Sequence, residues 1–204
     1  MSIKKLLAYT VVASMTTMVW SGIVVSNTSA AACRPIWGIG IAGLNDNTSA
    51  IFIGNVNQPV GYNSLDPVSG LREINRLFWK HRNACPKDHI TLIGHSEGAA
   101  LVHVWVTQHP RVSNANAVLL ADPKRLVPGQ GGPGLASLGG FLGYPLAGAD
   151  NNFGPFPVLT VCHRSDWVCN LDAPWGVSHV SGSHAWYDFH SGNYPVTGRG
   201  SVLN

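Results

Sequence analysis

The sequence has few charged residues and few cysteines. Asp, Glu, Lys and Arg together make up 11% of its 204 residues, and there are 4 Cys. The formal net charge of +3 includes Lys4 and Lys5, so the rest of the chain is close to neutral. This gives no electrostatic argument for a nucleic-acid partner. Gly, Pro and Trp are abundant, which indicates a compact, loop-rich chain rather than a disordered one.

No spacing of Cys and His resembles a zinc site, and the sequence shows neither an internal repeat nor a second domain. We therefore expect no metal ion and no cofactor. The length suits one domain with a sizeable core, which we place at residues 32–204. We expect this domain to be a monomer.

The start of the chain has the pattern of a secretory signal peptide. Two lysines precede an apolar run, Leu6–Val25, and small residues follow it. We assign residues 1–31 to the signal, with cleavage near residues 30–32. The alternatives are an uncleaved anchor and a lipidated Cys33. The small residues favour cleavage, and the lack of Leu before Cys33 disfavours lipidation.

Export makes the cysteines interpretable as two disulfides, because thiols oxidise outside the cytoplasm. Cys162 and Cys169 are close in sequence and predict a clipped loop. Cys33 and Cys85 remain, and their bridge would contribute about 4 kcal/mol in the chain-entropy model. The alternative, free buried thiols, is disfavoured in an exported protein.

The most informative stretch is Ile90–Ala100. It has the sequence of a short strand, then Gly-x-Ser-x-Gly, then small residues that open a helix. A Ser at such a turn faces the free N–H groups of the helix start. Gly94 and Gly98 avoid collisions that a Cβ would make with neighbouring elements. The alternative is an ordinary Gly-rich turn, but the flanking strand and helix favour Ser96 as a nucleophile.

The remaining pattern alternates strands with helices and predicts an α/β fold with a doubly wound, mostly parallel sheet flanked by helices. Strands are predicted at Ile36–Ile41, Ala50–Val56, His89–Ile93, Ala115–Ala121 and, as the last strand of the sheet, Val158–Cys162. Helices are predicted at Pro67–Arg82 and Glu97–Gln108. The segment His190–Asn204 is predicted to be an irregular tail.

Asp166 and His184 are the candidate partners of Ser96. Asp166 follows a predicted strand inside the loop that Cys162 and Cys169 would close, and a rigidly held acid is what a catalytic imidazole requires. The order Ser, Asp, His along the chain is that of α/β-hydrolases.

Other residues compete for these two roles. Asp122 also follows a strand, and the alternative histidines are His179 and His190. His95 is expected to face away from the nucleophile, and His103 to be a packed or surface residue of the helix.

Two backbone N–H groups are candidates for an oxyanion hole. The first comes from the loop after the first strand, at Gly43–Asn45, where we assign Leu44. The second is the N–H of Glu97. The carboxylate of Glu97 would oppose a developing negative charge, so we expect it to point away from the site.

The segment 124–157 is rich in Gly, Pro and Leu and is long for a loop of a compact domain. We favour an apolar flap beside the active site, suited to acyl chains. The alternative is a surface loop whose apolar residues only pack on the core.

Four sequence elements together resemble the cutinase family of secreted serine esterases. They are Gly-His-Ser-Glu-Gly-Ala-Ala, Cys-Pro before the nucleophile strand, Cys-x3-Asp-x2-Cys and His-x2-Tyr. The resemblance extends from Cys33 to about Tyr187 and is greatest to the actinobacterial branch. It implies a small lidless α/β-hydrolase with the two disulfides above and the triad Ser96, Asp166 and His184.

Two features depart from the family. Glu97 stands where Gln is common, and the long helix that usually follows the catalytic His is not predicted here.

The resemblance also implies a function: hydrolysis of carboxylic esters of lipids or polyesters with medium or long acyl chains. We expect a secreted protein that contacts cell-envelope lipids and has no nucleic-acid partner. One alternative is a cell-envelope acyltransferase, in which another alcohol resolves the acyl-enzyme. The other is a non-catalytic lipid-binding protein on a hydrolase scaffold, which the intact Ser, Asp and His set disfavours.

Overall fold

Residues 33–139, 143, 145–174 and 182–204 are described by a computed structural model. They belong to one unit that spans Ala32–Asn204. The predicted signal peptide, its cleavage site and His179 lie outside the described residues. Within the described ranges, no helix is long and apolar enough to cross a membrane.

The centre of the fold is a six-stranded parallel sheet. Its strands are β1 (Ile36–Ile41), β2 (Gln58–Pro59), β3 (His89–His95), β4 (Ala115–Leu120), β5 (Val158–Cys162) and β6 (Gly200–Leu203). Their order across the sheet is β2-β1-β3-β4-β5-β6, so the chain leaves β1 outward to β2 and returns to β3 on the other side. The predicted α/β class with a parallel sheet is confirmed.

The two predicted α-helices are present as α1 (Pro67–Ala84) and α2 (Glu97–Gln108). The side chain of Asp66 caps α1 by accepting the N–H of Ser69 at 3.2 Å, and Pro67 occupies the first helical position. The helix ends two residues beyond the predicted Arg82. Four 3₁₀ helices are also described, at Ala50–Phe52, Leu135–Leu138, Ser183–Ala185 and Ser191–Asn193.

Alternation along the central strands places the core on both faces of the sheet. Leu92 and Leu119 face the cluster in which α1 and α2 pack together. Their neighbours Ile93 and Val118 face a second cluster, which Phe52 and other loop residues cover. Burial of each large apolar side chain of this kind contributes about 1.5–3 kcal/mol relative to exposure.

The edge of the sheet where the parallel strands begin is fastened by polar contacts and a disulfide. Arg82 donates hydrogen bonds to the carbonyls of Pro86 and Asp88 and, across a gap, to those of Ser113 and Asn114. The bridge between Cys33 and Cys85 ties the segment before β1 to the segment before β3. We refer to this side as the amino edge.

The prediction of a strand at Ala50–Val56 was wrong. This segment is a 3₁₀ helix followed by turns, and the strand that pairs with β1 is Gln58–Pro59. The cause is Asp46, whose carboxylate accepts the N–H groups of Ala50 and Ile51 at 2.8 and 3.2 Å. These bonds hold the apolar run in a helical turn.

The prediction that Val158–Cys162 is the last strand was also wrong. The segment predicted to be an irregular tail contains β6, which pairs parallel with β5 at the edge of the sheet. The sequence signal for a strand is weak here, because the segment has four residues and begins with Gly. Packing of Leu203 against the second core cluster stabilises the strand nevertheless. No α-helix follows His184 within residues 182–204.

Candidate active site

Ser96 lies at the turn between β3 and α2, with a φ of 58° that is unfavourable for any residue other than glycine. Its N–H donates to the carbonyl of Leu120 at 2.9 Å, which fixes the turn against β4. The strain is held by close packing. A Cβ at Gly98 would lie 2.2 Å from the Ile41 oxygen, and a Cβ at Gly43 would lie 2.7 Å from the Ser96 Cβ. Only glycine fits at these two positions.

The structure brings Ser96, His184 and Asp166 into one hydrogen-bonded chain. The Ser96 Oγ lies 3.1 Å from His184 Nε2. On the other side of the ring, His184 Nδ1 lies 2.9 and 3.1 Å from the two carboxylate oxygens of Asp166. The nucleophile, the imidazole and the acid therefore have the mutual contacts that a catalytic triad requires.

Asp166 is completely buried and is held by several donors besides His184. Val168 N–H donates to Oδ1 at 3.0 Å, and the Tyr187 hydroxyl donates to Oδ2 at 2.8 Å. Burial alone would raise the pKa of Asp166, but the hydrogen bonds from His184, Tyr187 and Val168 hold the pKa below its usual value. The carboxyl group therefore remains ionised next to the imidazole. The bridge between Cys162 and Cys169 closes the loop around it.

His95 contacts the segment that carries His184, which the sequence did not predict. Its Nε2 lies 2.7 Å from the carbonyl oxygen of His184, so the proton is on Nε2 and is donated. Burial, together with the nearby ring of His184, lowers the pKa of His95 to about 4. The side chain is therefore neutral and ties the segment that carries His184 to the end of β3. The expectation that His95 faces away from the site was wrong, because both rings are in contact.

The backbone around Ser96 offers N–H donors of the kind needed for an oxyanion hole. The N–H of Glu97 belongs to the first turn of α2, where no intrahelical acceptor exists. In the loop after β1, the N–H of Asn45 is already donated to Ser64 Oγ at 3.0 Å. For Leu44, the structure shows no such bond to another described residue, so its N–H is available. The assignment of Leu44 and Glu97 to an oxyanion hole stays a prediction.

The side chain of Glu97 does not point away from the site as expected. It is only 7% exposed and belongs to the wall of a cavity that also contains Ser96 and His184. Its Oε1 has no hydrogen-bond partner among the described residues. Burial raises the pKa of Glu97 to about 7.

The two described alternative candidates, Asp122 and His190, have partners other than Ser96 and His184. Asp122 is buried against His103, with 2.8 Å between Oδ2 and Nδ1. The other ring nitrogen of His103 lies 3.1 Å from Asp150, so this histidine is a packed residue, as expected. His190 is exposed, and its ring accepts the N–H of Gly192.

A cavity of about 770 Å³ adjoins Ser96 and His184. Leu135 and Leu146, from the long segment 124–157, contribute to its wall. Leu146 is also part of the core, so this segment contributes to both the cavity and the packing. Residues 140–142 and 144 of the predicted flap lie outside the described residues. A role of the segment as a moving flap stays a prediction.

Both predicted disulfides are present. Cys33 pairs with Cys85 and Cys162 pairs with Cys169. The sulfur of Cys33 is therefore not available for a lipid. Of the described residues, one group could place metal-binding atoms together, namely Cys33, Cys85 and Asp88, but its two sulfurs are joined in the disulfide.

The sequence matches no family model and no curated protein. Solved structures are similar to it. A cutinase-like protein from Cryptococcus sp. has a TM-score of 0.52 and 17% identity, over 83% of this chain and 98% of that protein. An acetylxylan esterase has a TM-score of 0.51 and 17% identity, over 78% of this chain and 96% of the esterase. At identities this low, the structural similarity shows a shared fold and nothing finer. The chain has a cutinase-like α/β-hydrolase fold, as expected.

Proposed function

We propose that the protein is a serine-dependent carboxylic ester hydrolase. In this proposal Ser96 is the nucleophile, His184 is the general base and acid, and Asp166 orients His184. The observation that carries it is the hydrogen-bonded chain from Ser96 through His184 to Asp166 beside a cavity. The cutinase-like protein and the acetylxylan esterase that share this fold support an ester as the substrate.

The reaction has two halves. His184 Nε2 takes the Ser96 proton as Oγ attacks the ester carbonyl, and the carbonyl oxygen becomes an oxyanion held by the N–H groups of Glu97 and Leu44. The bond between the former carbonyl carbon and the alcohol oxygen then breaks, and His184 gives the proton to the departing oxygen. Water, deprotonated by His184, attacks the acyl-enzyme and releases the acid and free Ser96.

The substrate we propose is an ester of a lipid or polyester. Leu44 and Leu65 line the cavity and are 58% and 78% exposed, which suits contact with an apolar surface such as cell-envelope lipid. We also propose that the protein is secreted and monomeric, and two disulfides are compatible with an oxidising compartment.

The proposal is tested with chromogenic esters of graded acyl length and a serine-directed phosphonate. We expect the wild type to hydrolyse the esters and to be labelled once, on the peptide that contains Ser96. Ser96→Ala should lose both activity and labelling while its thermal unfolding stays cooperative. Ser113→Ala is the matched control, because Ser113 is exposed at the amino edge. Labelling of Ser96→Ala at another serine would contradict the assignment.

Two further outcomes separate the alternatives. If an added alcohol captures most of the acyl group as a new ester, the protein is an acyltransferase rather than a hydrolase. If the folded wild type neither turns over esters nor reacts with the phosphonate, it is a binding protein on this fold.

A further inference from the structure

The cavity next to Ser96 has two unlike walls. One wall comes from the segments that follow β4 and β5 and is apolar; its residues include Pro123, Leu135, Leu146 and Val168. The other wall comes from the loops near the ends of β1 and β2 and from the start of α2. This second wall is mixed: Asn45, Asp46, Ser64 and Glu97 lie beside Leu44, Ile51, Leu65 and Pro67. Because β3 lies between β1 and β4 in the sheet, Ser96 stands between the two walls.

Most polar groups of the second wall are already committed to the protein itself. The Asp46 carboxylate accepts the N–H groups of Ala50 and Ile51. Ser64 Oγ accepts the N–H of Asn45. These side chains therefore shape the loops and have little capacity left for a substrate.

Glu97 differs from these neighbours. Its Oε1 is sealed and has no hydrogen-bond partner in the described part of the chain, and the residue is 7% exposed within the cavity wall. The Tyr62 hydroxyl lies close enough to Glu97 to interact with its charge. It donates its hydrogen bond to the carbonyl of Ala42 at 2.9 Å instead. An unpartnered buried carboxyl group costs free energy unless a ligand supplies the missing hydrogen bond.

We infer that the Glu97 side chain is a specificity-determining group that hydrogen-bonds a hydroxyl group on the alcohol portion of the ester. The acyl chain then lies along the apolar wall. The inference rests on the proposed esterase function and deepens it, because it names the substrate class: esters of an apolar acyl chain with a polyhydroxylated alcohol. The last side-chain torsion of Glu is soft, so the carboxyl group can rotate toward such a hydroxyl.

Burial raises the pKa of Glu97 to about 7. The carboxyl group is therefore neutral in part of the molecules at neutral pH. It can then donate its own proton as well as accept one, which suits a hydroxyl partner.

The test compares two esters that share an acyl chain, propyl octanoate and 2,3-dihydroxypropyl octanoate. The measured quantity is the ratio of kcat/KM for the dihydroxypropyl ester to that for the propyl ester. We expect the wild type to prefer the dihydroxypropyl ester and Glu97→Met to lower the ratio by about tenfold, as the loss of one hydrogen bond predicts. Glu97→Gln should keep most of the preference, because an amide both donates and accepts.

Glu73→Met is the matched control, since Glu73 lies on α1 and pairs with Arg76 at the surface. Its ratio should equal that of the wild type. A ratio that does not change in Glu97→Met would overturn the inference while leaving the esterase proposal intact. Loss of all ester hydrolysis in Ser96→Ala supports only the esterase proposal.

A third ester identifies the source of the hydroxyl group. Propyl 3-hydroxyoctanoate carries the hydroxyl on the acyl chain instead of the alcohol. If Glu97→Met impairs this ester selectively and spares the dihydroxypropyl ester, Glu97 binds the acyl portion and the assignment to the alcohol is wrong. If kcat/KM for this ester is the same in Glu97→Met, Glu97→Gln and the wild type, the assignment is supported.

Discussion

Asp166 and Asp122 are two buried carboxylates at the ends of strands, and their partners distinguish them. Asp166 binds His184, whereas Asp122 binds His103. Asp166→Asn should lower kcat by roughly 10⁴-fold, because an amide stabilises the wrong imidazole tautomer. Asp122→Asn should keep most of the activity and lower the melting temperature. Steady-state kinetics with circular dichroism checks both, and an inactive Asp122→Asn beside an active Asp166→Asn would reverse the assignment.

Tyr187 contributes to the same site through Asp166. Its hydroxyl donates to Asp166 Oδ2 and accepts the N–H of His163 at 3.0 Å. Tyr187→Phe should lower kcat by about tenfold, the equivalent of one lost hydrogen bond, with KM little changed. Tyr194→Phe removes a comparable hydroxyl, which donates to the Asp188 carbonyl, and it should leave kcat unchanged. Equal rates for the two variants would contradict a role for Tyr187.

The sequence sufficed for the three residues that contact one another, since each sits in a motif with a physical reason. It did not suffice for His95, because its partner is a carbonyl 89 positions away. The burial of the Glu97 side chain was missed for the same reason. Adjacent side chains of a turn point in different directions. Which of them becomes buried depends on the tertiary packing around the turn.

At the scale of elements, the bridge between Cys162 and Cys169 should matter more for activity than for folding. The bridge encloses Asp166 within a separation of seven residues, while β5 keeps its ladder with β4. Replacing both cysteines by Ser should therefore lower kcat much more than the folded fraction. Kinetics on the folded protein, with denaturation curves, measures the two effects. Equal losses in both would show that the bridge only stabilises the fold.

His103 on α2 fastens the long segment 124–157 to the helix. Burial opposes its charge, but the carboxylates of Asp122 and Asp150 outweigh it and raise the pKa of His103 to about 9. A folded pKa above the unfolded value of about 6.5 gives stability that is complete below pH 6.5. That stability is lost as the pH rises through about 9.

The melting temperature, measured by differential scanning calorimetry, should accordingly fall between pH 7 and pH 10. Asp150→Asn removes one carboxylate and lowers the folded pKa of His103, so the fall should be smaller and should end at a lower pH. Glu73→Gln, a surface change on α1, should leave the curve in place. A curve that does not move in Asp150→Asn would exclude this linkage.

Elements with a strong periodicity were predicted well, and weak ones were not. The first strand and α2 have the predicted bounds. The apolar pattern defines the strand, and Pro110 shortly after α2 prevents the helix from continuing. Two other elements depended on distant contacts. Asp46 turned Ala50–Phe52 into a helix, and pairing with β5 turned the short Gly200–Leu203 into a strand.

At the scale of the whole molecule, the bridge between Cys33 and Cys85 closes a long loop with a sequence separation of 52. Replacing both cysteines by Ala should lower the free energy of unfolding by about 4 kcal/mol in the chain-entropy model. Neither residue approaches Ser96, so kcat/KM of the folded protein should not change. Urea denaturation and ester kinetics measure the two quantities, and a large drop in kcat/KM would show coupling to the site.

The amino edge, fastened by Arg82, lies at the opposite end of the parallel strands from Ser96, Asp166 and His184. The scaffold is thus polarised, and the two ends can be altered independently. Attachment of a dye, a resin or a fusion partner near Ser113 would leave the mouth of the cavity open toward a substrate surface. Recruited to an insoluble polymer in this orientation, the protein would keep its reactive end in contact with the material.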